Sequence, residues 1–237
     1  MLSYNPLFLN GARAIEVEAS LHRRCVVGCQ GTQQRAVPGE PYSVRRVGGR
    51  FLVSAGWSLG RLTNKAAGCA LFAPSGWPRK AITEVRLPSQ DLAGRCMGVA
   101  LSHAGVRLRC FVLYFPPSPT SVAGSRMYFK TCEKMVSWLR TELREVPRSA
   151  APVCMVDLND GIGLGRKANE WIHVGEEVVG PAATRERHAN GAGQLFREAL
   201  AEAGLCLPGT MGNFCLLGTG LAAIGVASIT WRCPCRG

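Results

Sequence analysis

Acid is scarce in this chain. Its 237 residues carry 16 Asp+Glu against 28 Lys+Arg, a formal net charge of +12. That balance excludes an acidic, self-solvating protein and favours polyanionic partners: nucleic acid, phosphorylated ligands or an acidic membrane surface. Histidine is scarcer still, at 4 residues, so few imidazoles could serve a metal. Repeats, heptads and low-complexity linkers are absent, which removes solenoid and coiled-coil architectures. The opening Met1-Leu-Ser-Tyr-Asn-Pro6 shows no basic stretch followed by an apolar one, so no targeting segment is read there.

Cysteine, by contrast, is plentiful. The count is 11, an odd number, and most sit singly in apolar runs such as Gly68-Cys-Ala-Leu71, Arg109-Cys-Phe-Val112 and Val153-Cys-Met-Val156. Buried free thiols in a reducing compartment look like this, so no disulfides and an intracellular location are expected. The nearest pairs, Cys25/Cys29 and Cys233/Cys235, lack the two-residue gap of a zinc knuckle. No charge falls between Glu202 and Arg232, and 214–231 is apolar enough to raise a membrane span. Gly218, Gly220, Gly225 and Ser228, with little bulky aliphatic content, argue against one. The expected organisation is one domain over 1–211 and an atypical Gly-rich apolar segment over 212–237.

At 47% hydrophobic the chain can bury a sizeable core. Short β-type runs fill the first half, and 106–114 is the clearest: Arg107 and Arg109 alternate with Val106, Leu108 and Cys110 before the run turns wholly apolar. It is expected to enter a sheet at its edge and finish in the core. Helices are expected over 126–145, 190–203 and, more weakly, 11–24. Strands and helices are mixed, and hairpin-like pairs outnumber βαβ units. The fold class that follows is α+β with layered sheets.

Four strand ends carry candidate chemistry. Pro152-Val-Cys-Met-Val-Asp-Leu-Asn159 is an apolar run ending in Asp157 and Asn159, two apart and so expected on one side of the pleat. A carboxylate there can take the proton of an attacking water, and a carboxamide N–H can donate to a developing oxyanion. A polar turn that merely caps the strand is the plainer alternative. Phe111-Val-Leu-Tyr-Phe-Pro116 delivers Tyr114 just before a proline-forced turn. Cys25-Val-Val-Gly-Cys-Gln-Gly-Thr32 ends in Gln30-Gly31-Thr32, and Leu2-Ser-Tyr-Asn5 ends in an amide.

In order, these pieces resemble the endonuclease/exonuclease/phosphatase superfamily, and within it the endonuclease domains of non-LTR retrotransposons. Leu2-Ser-Tyr-Asn5 is similar to that family's first strand. The run to Thr32 is similar to "divglQET", Gly68–Ala73 to "GvAifv", Phe111–Pro116 to "vvnvYaP" and Val153–Asn159 to "vilGDFN". Asn190-Gly191 through Thr210 resembles "N.NG..L..f....gL...NT", and Thr230-Trp231 resembles the late "TW". The resemblance implies a DNase-I-like four-layered α/β/β/α sandwich. It also implies Mg²⁺-dependent phosphodiester hydrolysis on DNA, with a phospholipid head group as the alternative substrate of the same fold. By the same resemblance Asp157, Asn159 and Tyr114 are catalytic, Asn5 and Asp157 serve the metal, and Asn159 and Asn190 bind substrate.

Three departures set expectations lower. Gly31 stands where the family's metal-binding Glu is expected, and Val156 where it has Gly. Gly237 comes before any counterpart of the "iDyi" and "sDH" segments, so the sandwich is expected to miss its last strands. His173 and His188 fall too early to replace the missing His. The expectation is therefore a truncated or degenerate domain with weak Mg²⁺ binding and little activity, or a non-catalytic nucleic-acid-binding remnant.

Overall fold

Side-chain alternation along two facing sheets builds the centre of the molecule. The computed structural model describes residues 2–4, 6, 9–37, 39–57, 67–117, 119, 122–159, 192–206 and 231–232. In chain order the elements are β1 (Leu2–Tyr4), α1 (Gly11–Ser20), β2 (Val27–Gln30), β3 (Ser43–Val47), β4 (Arg50–Ala55), β5 (Cys69–Phe72), β6 (Ile82–Arg86), β7 (Cys96–His103) and β8 (Val106–Tyr114). After them come α2 (Val122–Arg144), β9 (Ala151–Asp157), α3 (Ala192–Glu202), β10 (Leu205–Cys206) and β11 (Trp231–Arg232). One sheet runs β1-β2-β5-β4-β3 and the other β6-β7-β8-β9, while β10 and β11 form a small antiparallel pair. Only β1/β2 and β8/β9 pair in parallel, each through a helical crossover.

The burial pattern separates four layers. Val27, Cys29, Leu52, Ala70 and Phe72 face outward from the first sheet onto Ala14 and Val17 of α1. Val53, Cys69 and Leu71 face inward and meet Val99, Cys110, Val112, Val153 and Met155 of the second sheet. Phe111, Leu113, Cys154 and Val156 face outward from that sheet onto Cys132, Met135 and Leu139 of α2 and Phe196 and Leu200 of α3. This is the α/β/β/α sandwich that the resemblance implies. Gly28 lies tight against the facing sheet: an added Cβ there would lie 2.8 Å from Met155 Cβ, so only glycine fits.

The boundaries differ from the periodicity reading in instructive ways. Asn10 caps α1 by accepting the Arg13 backbone N–H at 2.8 Å. The helix then stops at Ser20 rather than 24, because the Leu21 and His22 carbonyls turn to the buried Arg50 guanidinium, at 3.5 and 2.6 Å. The run 106–114 is no edge entry: β8 lies between β7 and β9. Arg109 is tolerated inside because it donates to Glu84 at 2.8 Å. Hydrogen bonds from Arg86 and then Arg109 hold the Glu84 carboxyl below its usual range. None of the seven cysteines whose side chains are described forms a disulfide; burial pushes the Cys29 and Cys110 thiols up to about 12, which leaves them protonated and unreactive.

A second carboxylate ties the β6–β7 connection to α2. Asp91 accepts from Lys134 and from Ser89, and these bonds hold its carboxyl down at about 2. Between that value and the ordinary carboxylate value near 4 the unfolded chain binds the extra proton. Stability is therefore expected to fall as pH drops through this window, and the Asp91 share of the fall should vanish in Lys134→Met. Denaturant midpoints of both proteins at pH 5 and pH 2.5 check this; equal losses would refute it.

Candidate functional site

The second sheet ends in a carboxylate held from two sides. Asp157, only 6% exposed, is the last residue of β9 and stands opposite Tyr114 in the parallel register. It lies on the inner face with Met155, because strand side chains alternate. The chain then bends rather than continuing the pleat. Asn159 sits beyond the strand at φ 48, so Asp157 and Asn159 do not share a pleat face as their spacing suggests. Instead the Asn159 backbone N–H donates to Asp157 Oδ1 at 3.1 Å, and its Nδ2 donates to the Phe115 carbonyl at 2.8 Å. This is an Asx turn. It leaves the second Nδ2 hydrogen of Asn159 for another partner, and it ties both residues to the strand of Tyr114.

A hydrogen-bonded path brings the first sheet to the same end. Gln30, 1% exposed, closes β2 on the inner face, two residues after Gly28. The next residues pair across: the Thr32 N–H donates to the Gly68 carbonyl at 3.1 Å, and the Gly68 N–H to the Gly94 carbonyl at 2.7 Å. Tyr114 N–H then reaches the Arg95 carbonyl at 2.8 Å. Gln30, Thr32, Tyr114, Asp157 and Asn159 thus belong to one end of the sandwich. Asn5 and Asn190 lie outside the described residues, as do Asp160, His173 and His188.

One residue of this end escaped the sequence reading. Arg95 is 5% exposed, its Nη1 donates to the Tyr114 carbonyl at 3.2 Å, and its guanidinium lies 5.6 Å over the Tyr114 ring. Burial lowers its pKa, opposed by Tyr114 and the neighbouring thiols. A cation between Gly94 and Cys96 sits where the β7 strand begins, and only the turn chemistry of Gly94, at φ 74, hints that the chain tucks inward there. Thr32 Oγ1, wholly buried, makes no hydrogen bond.

The donors among the described residues do not make a Mg²⁺ site. Mg²⁺ wants near-octahedral oxygen ligands and relies on one or two carboxylates with substrate phosphates. Among the described residues no three of His, Cys, Asp and Glu come together. Asp157 stands with amides, and Glu40 lies in an exposed turn. Gly31 contributes nothing, and its φ of 63 shows that the backbone has taken a left-handed form there. A side chain restored at this position meets strain of about 1 kcal/mol. Gly31→Glu is accordingly expected to lower stability by about 1 kcal/mol while leaving Mg²⁺ binding weak. Calorimetric titration with Mg²⁺ and a melting curve check both halves; tight binding in a fully stable variant would refute the strain argument.

No protein-family model and no curated protein matches the sequence. Solved structures do match. The chain is similar to AP endonuclease LMAP from Leishmania major, at TM-score 0.51 and 14% identity, over 86% of this chain and 66% of that one. It is similar as well to the catalytic domain of Xenopus laevis APE2, at TM-score 0.51 and 12% identity, over 85% and 66%. The chain thus has the DNase-I-like endonuclease/exonuclease/phosphatase fold and spans just under two thirds of the length of each of these structures.

Proposed function

We propose that this chain is a retrotransposon-type endonuclease domain that holds a DNA phosphodiester at the Tyr114–Asp157 end and hydrolyses it poorly. The observation that carries the reading is the donor set itself. A fixed carboxylate, a tyrosine and a buried guanidinium meet at one end of a nuclease-type sandwich, with no second carboxylate among the described residues there. The net charge of +12 favours a polyanionic strand over a small neutral substrate.

Each group keeps a definable task. Asp157, oriented by the Asn159 N–H, is the carboxylate placed to take a proton from water. Arg95 holds the Tyr114 ring and backbone in place, so that the phenol can be presented to a phosphate oxygen. Asn159, anchored on the Phe115 carbonyl, has one N–H left for a phosphate. Lacking a carboxylate at position 31, the chain has no described group to stabilise the leaving oxygen. Losing one preorganised electrostatic group costs about 10²–10³-fold in rate.

A plasmid-nicking assay with Mg²⁺, alongside filter binding at several salt concentrations, tests this. The expected result is salt-sensitive DNA binding with faint nicking that Asp157→Ala removes. Robust nicking abolished by Asp157→Ala would overturn the weak-hydrolysis reading, and absence of DNA binding at low salt would overturn the whole.

A further inference from the structure

Beside the Tyr114–Asp157 end, the described residues enclose a cleft of about 550 Å³ that the proposed phosphodiester chemistry does not use. The two places share the Gly94–Cys96 segment: Gly94 and Cys96 line the cleft, and Arg95 between them holds Tyr114. We propose that this cleft takes a guanine base.

Its walls suit a flat aromatic ring. Val37, Pro41, Leu87 and Pro88 present apolar side chains with little freedom to fill the space themselves. Two of its lining segments are locked together backbone on backbone: an added Cβ on Gly94 would lie 3.0 Å from the Trp57 nitrogen and 3.1 Å from the Gly56 carbonyl carbon. The volume lies within the ordinary range for a small-molecule site.

Chemistry at the mouth selects the base. Glu40 is the only charged residue lining the cleft among the described residues, and Gln90 is the accompanying amide. A carboxylate offers two adjacent acceptors and no donor. Guanine alone among the DNA bases presents two adjacent donors, N1–H and the N2 amine, with which such a fork pairs twice. Adenine and cytosine set an amine beside a ring acceptor, and thymine sets one N–H between two carbonyls; each turns a lone pair towards the carboxylate. The Gln90 amide can donate to the purine O6 or N7. Arg35, next in the chain to the lining residue Ala36, keeps its guanidinium 5.4 Å over the Trp57 ring.

The proposal rests on the DNA reading only for the source of the base, so free nucleosides test it separately. Calorimetric titration of the full chain with deoxyguanosine, deoxyinosine and deoxyadenosine is expected to rank them in that order. Deoxyguanosine should exceed deoxyadenosine about tenfold, since a bidentate pair is worth about 1–3 kcal/mol. Deoxyinosine, which lacks the N2 amine, should fall between. Glu40→Gln, an exposed change that spares the fold, should bring the three within about twofold. Ala36→Phe, which fills the cleft, should remove binding of all three. No saturable binding of deoxyguanosine, or a preference that survives Glu40→Gln, overturns the proposal. A strand of abasic sites separates the two readings. Its retention by Ala36→Phe shows phosphate binding independent of the cleft, whereas deoxyguanosine binding without any hold on that strand keeps the cleft and sinks the phosphodiester reading.

Discussion

Replacing Arg50 by leucine is expected to remove about 3–5 kcal/mol of stability, the range for breaking a buried charged network. Arg50 is 1% exposed, yet its guanidinium satisfies four backbone carbonyls: Leu21 at 3.5 Å, His22 at 2.6 Å, Cys25 at 2.7 Å and Ala73 at 3.1 Å. Glu18 approaches Nε at 3.6 Å and also accepts the Gly49 N–H at 3.2 Å. One side chain thus closes α1, starts the path into β2 and fixes the β3–β4 turn. Leucine leaves those acceptors buried without a donor, and each orphan costs about 1–3 kcal/mol before relaxation. Because whole-domain stability is about 5–15 kcal/mol, the variant should be close to unfolding at ambient temperature. Arg50→Lys should recover part of the loss, since an ammonium reaches some carbonyls but lacks the planar fork. Urea midpoints of the three proteins decide it. A loss under about 1 kcal/mol for Arg50→Leu would mean that water enters and replaces the guanidinium.

The second large effect is expected at Arg95. Arg95→Met removes a charged hydrogen bond to the Tyr114 carbonyl and a desolvated cation–π contact with its ring. Those two together are worth about 3 kcal/mol. The loss should appear twice. Stability should fall by about that amount, and DNA binding should weaken about tenfold or more, because Tyr114 is no longer held beside Asp157. Arg95→Lys should not rescue binding, since an ammonium neither stacks nor forks. Tyr114→Phe provides the contrast: it keeps the ring under Arg95, so stability should stay within about 0.5 kcal/mol while binding drops. A stable Arg95→Met protein with unchanged DNA affinity would remove Arg95 from the site.

Gly31 shows how far a motif can be read from its letters. That the family's ligand is missing is plain in Gln30-Gly31-Thr32. That the backbone there has also turned left-handed, at φ 63, is not. A glycine tolerates either sign of φ, so the letter is silent about which one the surroundings choose. Asp157 and Asn159 teach the same lesson. Their spacing is that of one pleat face, but the pleat ends at Asp157, and the Phe115 carbonyl draws the Asn159 amide back.

By itself the sequence determined three helices and most of the strands in their order, though not β3 or β7. Periodicities of two and 3.6 residues are written within ten neighbouring positions, and each apolar face has one way to be buried. The runs ending at Gln30, Tyr114 and Asp157 were legible for that reason, whereas the four-layered sandwich they build was implied by the resemblance of the motifs, not by periodicity. Only the tertiary structure decided that Arg50 and Arg95 go inside, that Arg109 finds a carboxylate there, and that Gly28 packs on Met155 of the facing sheet. An arginine enters a core when carbonyls or carboxylates from distant segments converge on it, as Ala73 does on Arg50 and Glu84 on Arg109. Those partners stand more than twenty residues away along the chain, where no local pattern names them; folding alone sets them a few ångströms apart.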